Sequence, residues 1–260
     1  MQHNNLIREF TAWLQQRLSY VGLAILFVLW SLVTYSGLVP EYFLSSPSQV
    51  LSALVAMFSE EGFLLDILVT LFRITSGFLL SVACALPLGV LIARSKSIDD
   101  MLSPILSFVR YLPVPALIPI SILWFGVGET QKIMIVFIGV FFQLVFLVSD
   151  AVRNVPLALE EIAKTFGARP RTVVFKVVLP YSSPAIFDHC RVTVGWAWGW
   201  VMLAELVGAH RGIGFMIVRS QRVLNNDHII AALLILGVLG VITDYVFILS
   251  GKRVFRWWRN

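Results

Sequence analysis

The chain is dominated by apolar runs approaching or exceeding 18 residues, each closed by a short polar connection. A run of that length threads the ~30 Å hydrocarbon layer of a bilayer as one helix, whereas soluble helices seldom stay apolar on every face. Six such segments can be drawn, at about 20–39, 65–93, 102–125, 131–151, 184–208 and 228–250. Only 13% of the residues are charged, against about 25% in soluble domains, so no water-soluble core would absorb the 58% that are apolar. The expectation is an all-α membrane protein with about six transmembrane helices, in which length counts spans rather than soluble domains.

A net charge of +5 could point to nucleic acid, so the placement of the basic residues decides. With the N terminus inside, thirteen of the 20 lysines and arginines fall in inner segments. Four (Lys132, Arg211, Arg219, Arg222) fall outside, and three (Arg73, Arg110, Arg191) lie in spans or near their ends. That bias places both termini in the cytoplasm and makes the bilayer, not nucleic acid, the partner of the basic residues. Arg110 and Arg191 read as snorkelling residues near the cytoplasmic face. Trp257 and Trp258, among the final basic residues, suit an aromatic anchor at the headgroups.

Arg8 and Arg17 ahead of an apolar run imitate a signal peptide, but the run from Tyr20 to Val39 is too long for one and lacks a clear cleavage site. An uncleaved first span is expected, preceded by an interfacial segment over 1–19 in which Phe10, Trp13, Leu14 and Leu18 have helical spacing. Between the first two spans, Pro47 to Glu61 reads as a short amphipathic helix lying on the outer surface. Cys84 and Cys190 have no partner spacing for zinc or a redox pair and read as small core residues. No internal repeat is evident, and six spans make a small transporter, which favours a dimer with the pathway at its interface.

The most informative stretch is the long inner connection from Asp150 to Pro184, since a polar connection of this length needs a reason. Pro156 opens a helix-compatible run from Leu157 to Phe166. Gly167 can take the left-handed conformation that closes a helix, and Pro170 suits the first turn of the next. The pattern spells two short helices joined by a glycine turn. Ile162, Ala163 and Phe166 offer an apolar face, while Glu160, Glu161, Lys164 and Arg169 offer polar edges on which a soluble protein could dock.

Within it, Glu161-Ile162-Ala163, three residues, Gly167, nine residues and Val177-Val178-Leu179-Pro180 resemble the EAA motif of bacterial ABC importer permeases. That motif reads Glu-Ala-Ala, three residues, Gly, nine residues, Ile-x-Leu-Pro, so Ile162 and Val177 are mild departures. Ser46-Pro47-Ser48-Gln49-Val50, Trp124-Phe125-Gly126-Val127-Gly128-Glu129, Ala204-Glu205-Leu206 and Gly212-Ile213-Gly214-Phe215 extend the resemblance toward the nitrate/sulfonate/taurine branch, over nearly the whole chain. The resemblance implies a type I ABC importer (MetI-like) permease fold. It implies a single domain over 1–260, with a coupling loop at about 152–180 inside the six-span core and a basic tail at 251–260.

The resemblance further implies two permease copies in an inner membrane, two ABC ATPase subunits beneath, and a periplasmic solute-binding protein above. Glu160, Glu161, Ala163, Lys164, Phe166, Gly167, Ala168, Leu179 and Pro180 would then form the ATPase-coupling segment. ATP and Mg would be held by the partner ATPases, and the cargo would be nitrate, a sulfonate or taurine, with bicarbonate or a pyrimidine precursor as alternatives. The chain itself has no phosphate-binding Gly-rich loop: Gly251-Lys252 is followed by Arg253 and lacks the earlier glycine. Neither a His-Glu-x-x-His run nor a nucleophile elbow is present, so no catalytic residue, metal ligand or resident cofactor is expected.

Candidate pathway residues are Arg73, Glu205 and the indoles Trp196, Trp198 and Trp200. Arg73 has two open readings, an anion pathway or a stem snorkelling to the outer headgroups. Glu205 could pair with Arg73 or Arg211, or act in gating. Alternate residues on a helix point about 200° apart, so the three tryptophans cannot share one cavity. The prolines in Tyr111-Leu112-Pro113-Val114-Pro115-Ala116-Leu117-Ile118-Pro119 should interrupt the third span as a hinge, a pathway wall or a static kink. A channel or scaffold without energy coupling is the rival of another class. An intramembrane enzyme would need a catalytic cluster that these spans do not supply.

Overall fold

The computed structural model describes residues 21–257, all of whose regular structure is helical. The interfacial segment expected over 1–19, the start of the first span and the anchor residue Trp258 lie outside the described residues. Helices α1 (Val21–Tyr35) and α2 (Pro47–Ser59) open the described chain. They are followed by α3 (Phe63–Arg94), α4 (Lys96–Arg110), α5 (Val114–Phe125) and α6 (Glu129–Arg153). Next come α7 (Leu157–Thr165), α8 (Pro170–Val173), α9 (Leu179–Leu206), α10 (Ile213–Arg222) and α11 (Asn226–Val254).

Among the described residues, length and composition recover fewer than the six expected spans. Three helices, α3, α6 and α11, are long and apolar enough to cross a membrane, or four crossings if the bent pair α4 and α5 is one. The expected third span over 102–125 breaks between Arg110 and Val114, where the two helices turn through 98°. The cause is local: prolines at 113 and 115 supply no N–H, and Pro113 disfavours helical backbone at Leu112. α9 is 28 residues long, but Asp188, Arg191, Glu205 and the indoles dilute its apolar windows. The described part of α1 runs 15 residues, from the first described residue.

The helices group into two compact units, one of residues up to Gly62 with Arg219–Leu234, the other of Phe63–Val218 with residues from Ile235 onward. In the first, α2 starts on a capping box: the Ser46 side chain accepts from the Gln49 N–H, and Gln49 Oε1 accepts from the Ser46 N–H at 2.8 Å. The Trp30 indole donates to the Ser45 carbonyl at 3.1 Å, and Glu61 lies 3.8 Å from Arg219 and 3.3 Å from His228.

The second unit holds the candidate site. Its centre is α6, packed against α3 on one side and α9 on the other. Gly77 and Gly89, twelve residues apart on α3, meet Val136 and Val148, twelve apart on α6, so the two helices run parallel. A Cβ on Gly77 would lie 2.7 Å from Val136 Cβ and 2.8 Å from the Ile133 carbonyl oxygen. One on Gly89 would lie 2.8 Å from the Val145 carbonyl oxygen. Small residues at such crossings let helix backbones approach in lipid, where no hydrophobic drive brings them together.

α9 does not begin afresh at Pro184 as the sequence suggested. It continues from α8 through a π-helical turn over Val174–Val178, in which the Leu179 N–H donates to the Val174 carbonyl. Pro180 has no N–H, and its ring would crowd the carbonyl four residues back; the widened turn immediately before it relieves that conflict.

Candidate functional site: a buried charge network, a helical knob and a mid-span cavity

α3 carries Asp66, Thr70 and Arg73 at i, i+4 and i+7, a spacing that puts all three on one helical face. Arg73 is 1% exposed and makes four donations. Nε and Nη2 reach the two oxygens of Glu129 at 2.6 Å each, while Nη1 reaches Glu205 Oε1 at 2.7 Å and the Arg211 carbonyl at 2.8 Å. Thr70 Oγ1 donates to Glu205 Oε1 at 2.8 Å and accepts from the Ile213 N–H at 3.0 Å. The Gly212 N–H donates to Asp66 Oδ1, and the Gly214 N–H to Glu205 Oε2, both at 2.8 Å.

One guanidinium therefore ties α3 to the first turn of α6, the last turn of α9 and the loop before α10. Gly212 is required there, since a Cβ on it would sit 2.6 Å from the Glu205 carboxylate and its φ is +118°. Lys132, also buried, donates to the Gly128 carbonyl at 3.1 Å. Arg73 and Glu205, singled out as pathway candidates, are turned on each other, the pairing the sequence allowed: four of the five guanidinium N–H donors are spent within the network. Sequence reasoning missed Asp66 and Thr70. The polar i, i+4, i+7 set within an apolar helix was the available signal.

The knob formed by α7 and α8 closes as its sequence suggested. Gly167 has φ +76°, its N–H donates to the Lys164 carbonyl at 2.9 Å, and the Ala168 N–H reaches the Ala163 carbonyl at 3.0 Å, a Schellman cap. Phe166 is 87% exposed, and Ile162, Glu161 and Lys164 also face outward. Glu160 does not. It is buried against α3, where Arg94 Nη1 and Nη2 grip its two oxygens at 2.5 and 2.7 Å. This removes it from the docking edge and makes it the rivet that holds α7 to the end of α3. Hydrogen bonding to Arg94 holds its carboxyl below the usual carboxylate range despite some desolvation. Leu179 and Pro180 lie beyond the knob, at the start of α9.

Where α4 breaks from α5, a cavity of about 530 Å³ opens between the break, α6 and α9. Trp196 and Trp200, one turn apart, both line it; Trp198 points away and is buried in the bundle. From α6 come Gly139 and Gln143, ten and fourteen residues below Glu129, roughly 15–21 Å along a helix about 37 Å long. Arg110 lines the opposite wall, its guanidinium against the Phe146 ring of α6. Arg191 pairs with Asp244 at 2.5 Å. Non-helical backbone such as Tyr111–Pro113 is tolerated at membrane depth where it lines a cavity.

The binding-protein-dependent transport system inner membrane component family matches residues 85–256, a span that includes the knob, the cavity and Glu205. A protein of Methanocaldococcus jannaschii named as an ABC transporter permease is 35% identical over 198 residues, 75% of this chain and 74% of its own. The taurine transport system permease protein TauC of Escherichia coli is 28% identical over 248 residues, 94% of this chain and 90% of TauC. Among solved structures, the inward-facing MetNI methionine ABC transporter has a chain that superimposes with a TM-score of 0.64 at 22% identity. The match covers 75% of this chain and 94% of that one, a likeness of fold. The all-helical bundle is thus of the MetI-like importer type, and the chain belongs to the family of binding-protein-dependent transport system inner membrane components, as the permease subunit of an ABC importer.

Proposed function

We propose that this permease carries a small sulfonate of the taurine type across the inner membrane, driven by separate ABC ATPase subunits that bind ATP and Mg. The observation that carries the coupling is the knob: α7 is riveted to α3 by Arg94 and Glu160 while presenting Phe166 and Ile162 outward. An exposed apolar tip on a rigid stalk is what a soluble subunit needs in order to push a membrane helix. Glu161, Ala163, Lys164, Gly167 and Ala168 shape that tip, with both termini and the knob on the cytoplasmic side. The likeness to TauC supports the sulfonate. A second copy of the permease and a periplasmic binding protein complete the importer, within which residues 1–260 act as one permease domain.

The test is co-purification of the co-encoded ATPase with the permease. Wild type should retain it, and Phe166→Asp, which places a charge in the apolar contact, should lose it while the permease still inserts and elutes at its normal size. Retention of the ATPase by Phe166→Asp would leave α7 a mere connection and place the ATPase contact elsewhere on the permease.

A further inference from the structure

The mid-span cavity contains one formal charge among its lining residues, that of Arg110. Arg73, Arg94, Arg153, Arg191, Arg211 and Arg219 each lie within 4.0 Å of a carboxylate, whereas Arg110 has no carboxylate partner among the described residues. Its guanidinium carbon sits 4.9 Å from the centre of the Phe146 ring and 5.1 Å from that of Tyr111, and Nη2 makes only a 3.4 Å contact with the Tyr111 hydroxyl. Its Nε is covered and without an acceptor, as is the Trp200 indole N–H. A buried donor left unpaired keeps its full desolvation penalty, so a fold that keeps two of them beside one cavity gains when an acceptor enters.

The walls supply the rest of an anion site. Gln143, one helical turn from Gly139 on α6, lines the cavity with no amide hydrogen bond among the described residues. Gly139 gives the Trp200 indole its place: a Cβ there would lie 2.5 Å from the ring, so only glycine lets the indole rest on α6 beside Gln143. Trp196 presents a second apolar ring. No aspartate or glutamate lines the cavity, and its volume of about 530 Å³ lies in the ~300–1,000 Å³ range of small-molecule sites.

We propose that Arg110, Gln143 and Trp200 bind the anionic head of the cargo at mid-membrane, with Trp196 against its carbon chain. This rests on the sulfonate reading and locates it. The guanidinium supplies the charge and Gln143 an amide donor. The indole N–H joins when the ring tilts off Gly139, since it is covered in this state. Arg73, buried and held by Glu129, Glu205 and the Arg211 carbonyl, takes no part.

The experiment is uptake of radiolabelled taurine into proteoliposomes holding the permease, its ATPases and the binding protein, comparing wild type with R110Q, R110K and W200F. The expected result is a loss of about 10- to 100-fold in R110Q, from one charge-assisted interaction. R110K should recover part of the loss, and W200F should raise KM, with the ATPase co-purifying with each variant. Uptake by R110Q equal to wild type overturns the site while leaving the sulfonate reading intact; no taurine uptake by wild type overturns the sulfonate reading and the site with it. Repeating the comparison in phosphatidylcholine alone separates cargo from an anionic lipid headgroup. The R110Q defect should persist there, and its disappearance overturns the proposal in favour of the lipid.

Discussion

Replacing Arg73 by methionine keeps the length of the stem and removes the charge, leaving the Glu205 carboxylate fully buried with only Thr70 and the Gly214 N–H to solvate it. Truncating one partner of a buried ion pair costs about 3–5 kcal/mol, because the stranded charge keeps its desolvation penalty. The four lost hydrogen bonds do not add to this separately, since the same figure includes them. At roughly 2–4 °C per kcal/mol for a chain of this size, Tm in detergent should fall by about 6–20 °C. The reference is Arg219→Met, which breaks a half-exposed pair with Glu61 at 3.8 Å and should cost at most about 1 kcal/mol. Differential scanning fluorimetry of both variants gives the comparison. Adding Glu205→Gln to Arg73→Met should restore part of the loss, because the stranded charge is gone. If Arg73→Met melts no lower than Arg219→Met, the network does not hold α3, α6 and α9 together and the argument from its geometry fails.

Two further outcomes follow from other contacts. Glu160 has its carboxyl held down in the folded state by Arg94, so its contribution is complete above the free glutamate value of about 4.3. That contribution drains away as pH falls through the lower folded value; amide exchange in α7 should accelerate in that acid window for wild type, whereas Glu160→Gln should exchange fast throughout and lose the pH dependence. Gly77→Ala should lower Tm more than Gly167→Ala. The first drives a Cβ to 2.8 Å from a backbone oxygen, whereas the second meets nothing within 4 Å and bears only the strain of φ +76°, about 1 kcal/mol. A Tm ranking in the opposite order would show that α3 and α6 can separate at little cost.

The sequence made the helices and the knob legible for a simple reason: apolar run length and the Gly167–Pro170 spacing are local signals. The same holds for the proline interruption, which Pro113 and Pro115 announce, although its 98° magnitude depends on what α6 and α9 leave room for. Partnerships across the bundle were not legible. Glu160 looks like any polar residue of an amphipathic helix, and only the fold brings Arg94 to it from 66 positions away. Arg73 and Arg110 are each a lone arginine in an apolar setting, yet one is fully neutralised by Glu129 and Glu205 while the other faces a cavity. Asp66 and Thr70 escaped notice because their role is to hold the backbone of a loop more than 140 residues distant.

The central claim, that α7 transmits ATP-driven motion to the permease, is tested most directly by ATP hydrolysis in the reconstituted complex. Rates are measured with and without taurine-loaded binding protein, for wild type and for Ile162→Asp, whose side chain is exposed on the same tip. Stimulation of the wild type and its loss in the variant is the result predicted. Equal stimulation of both would contradict the account, because cargo arriving outside would then reach the ATPase by a route that does not pass through α7.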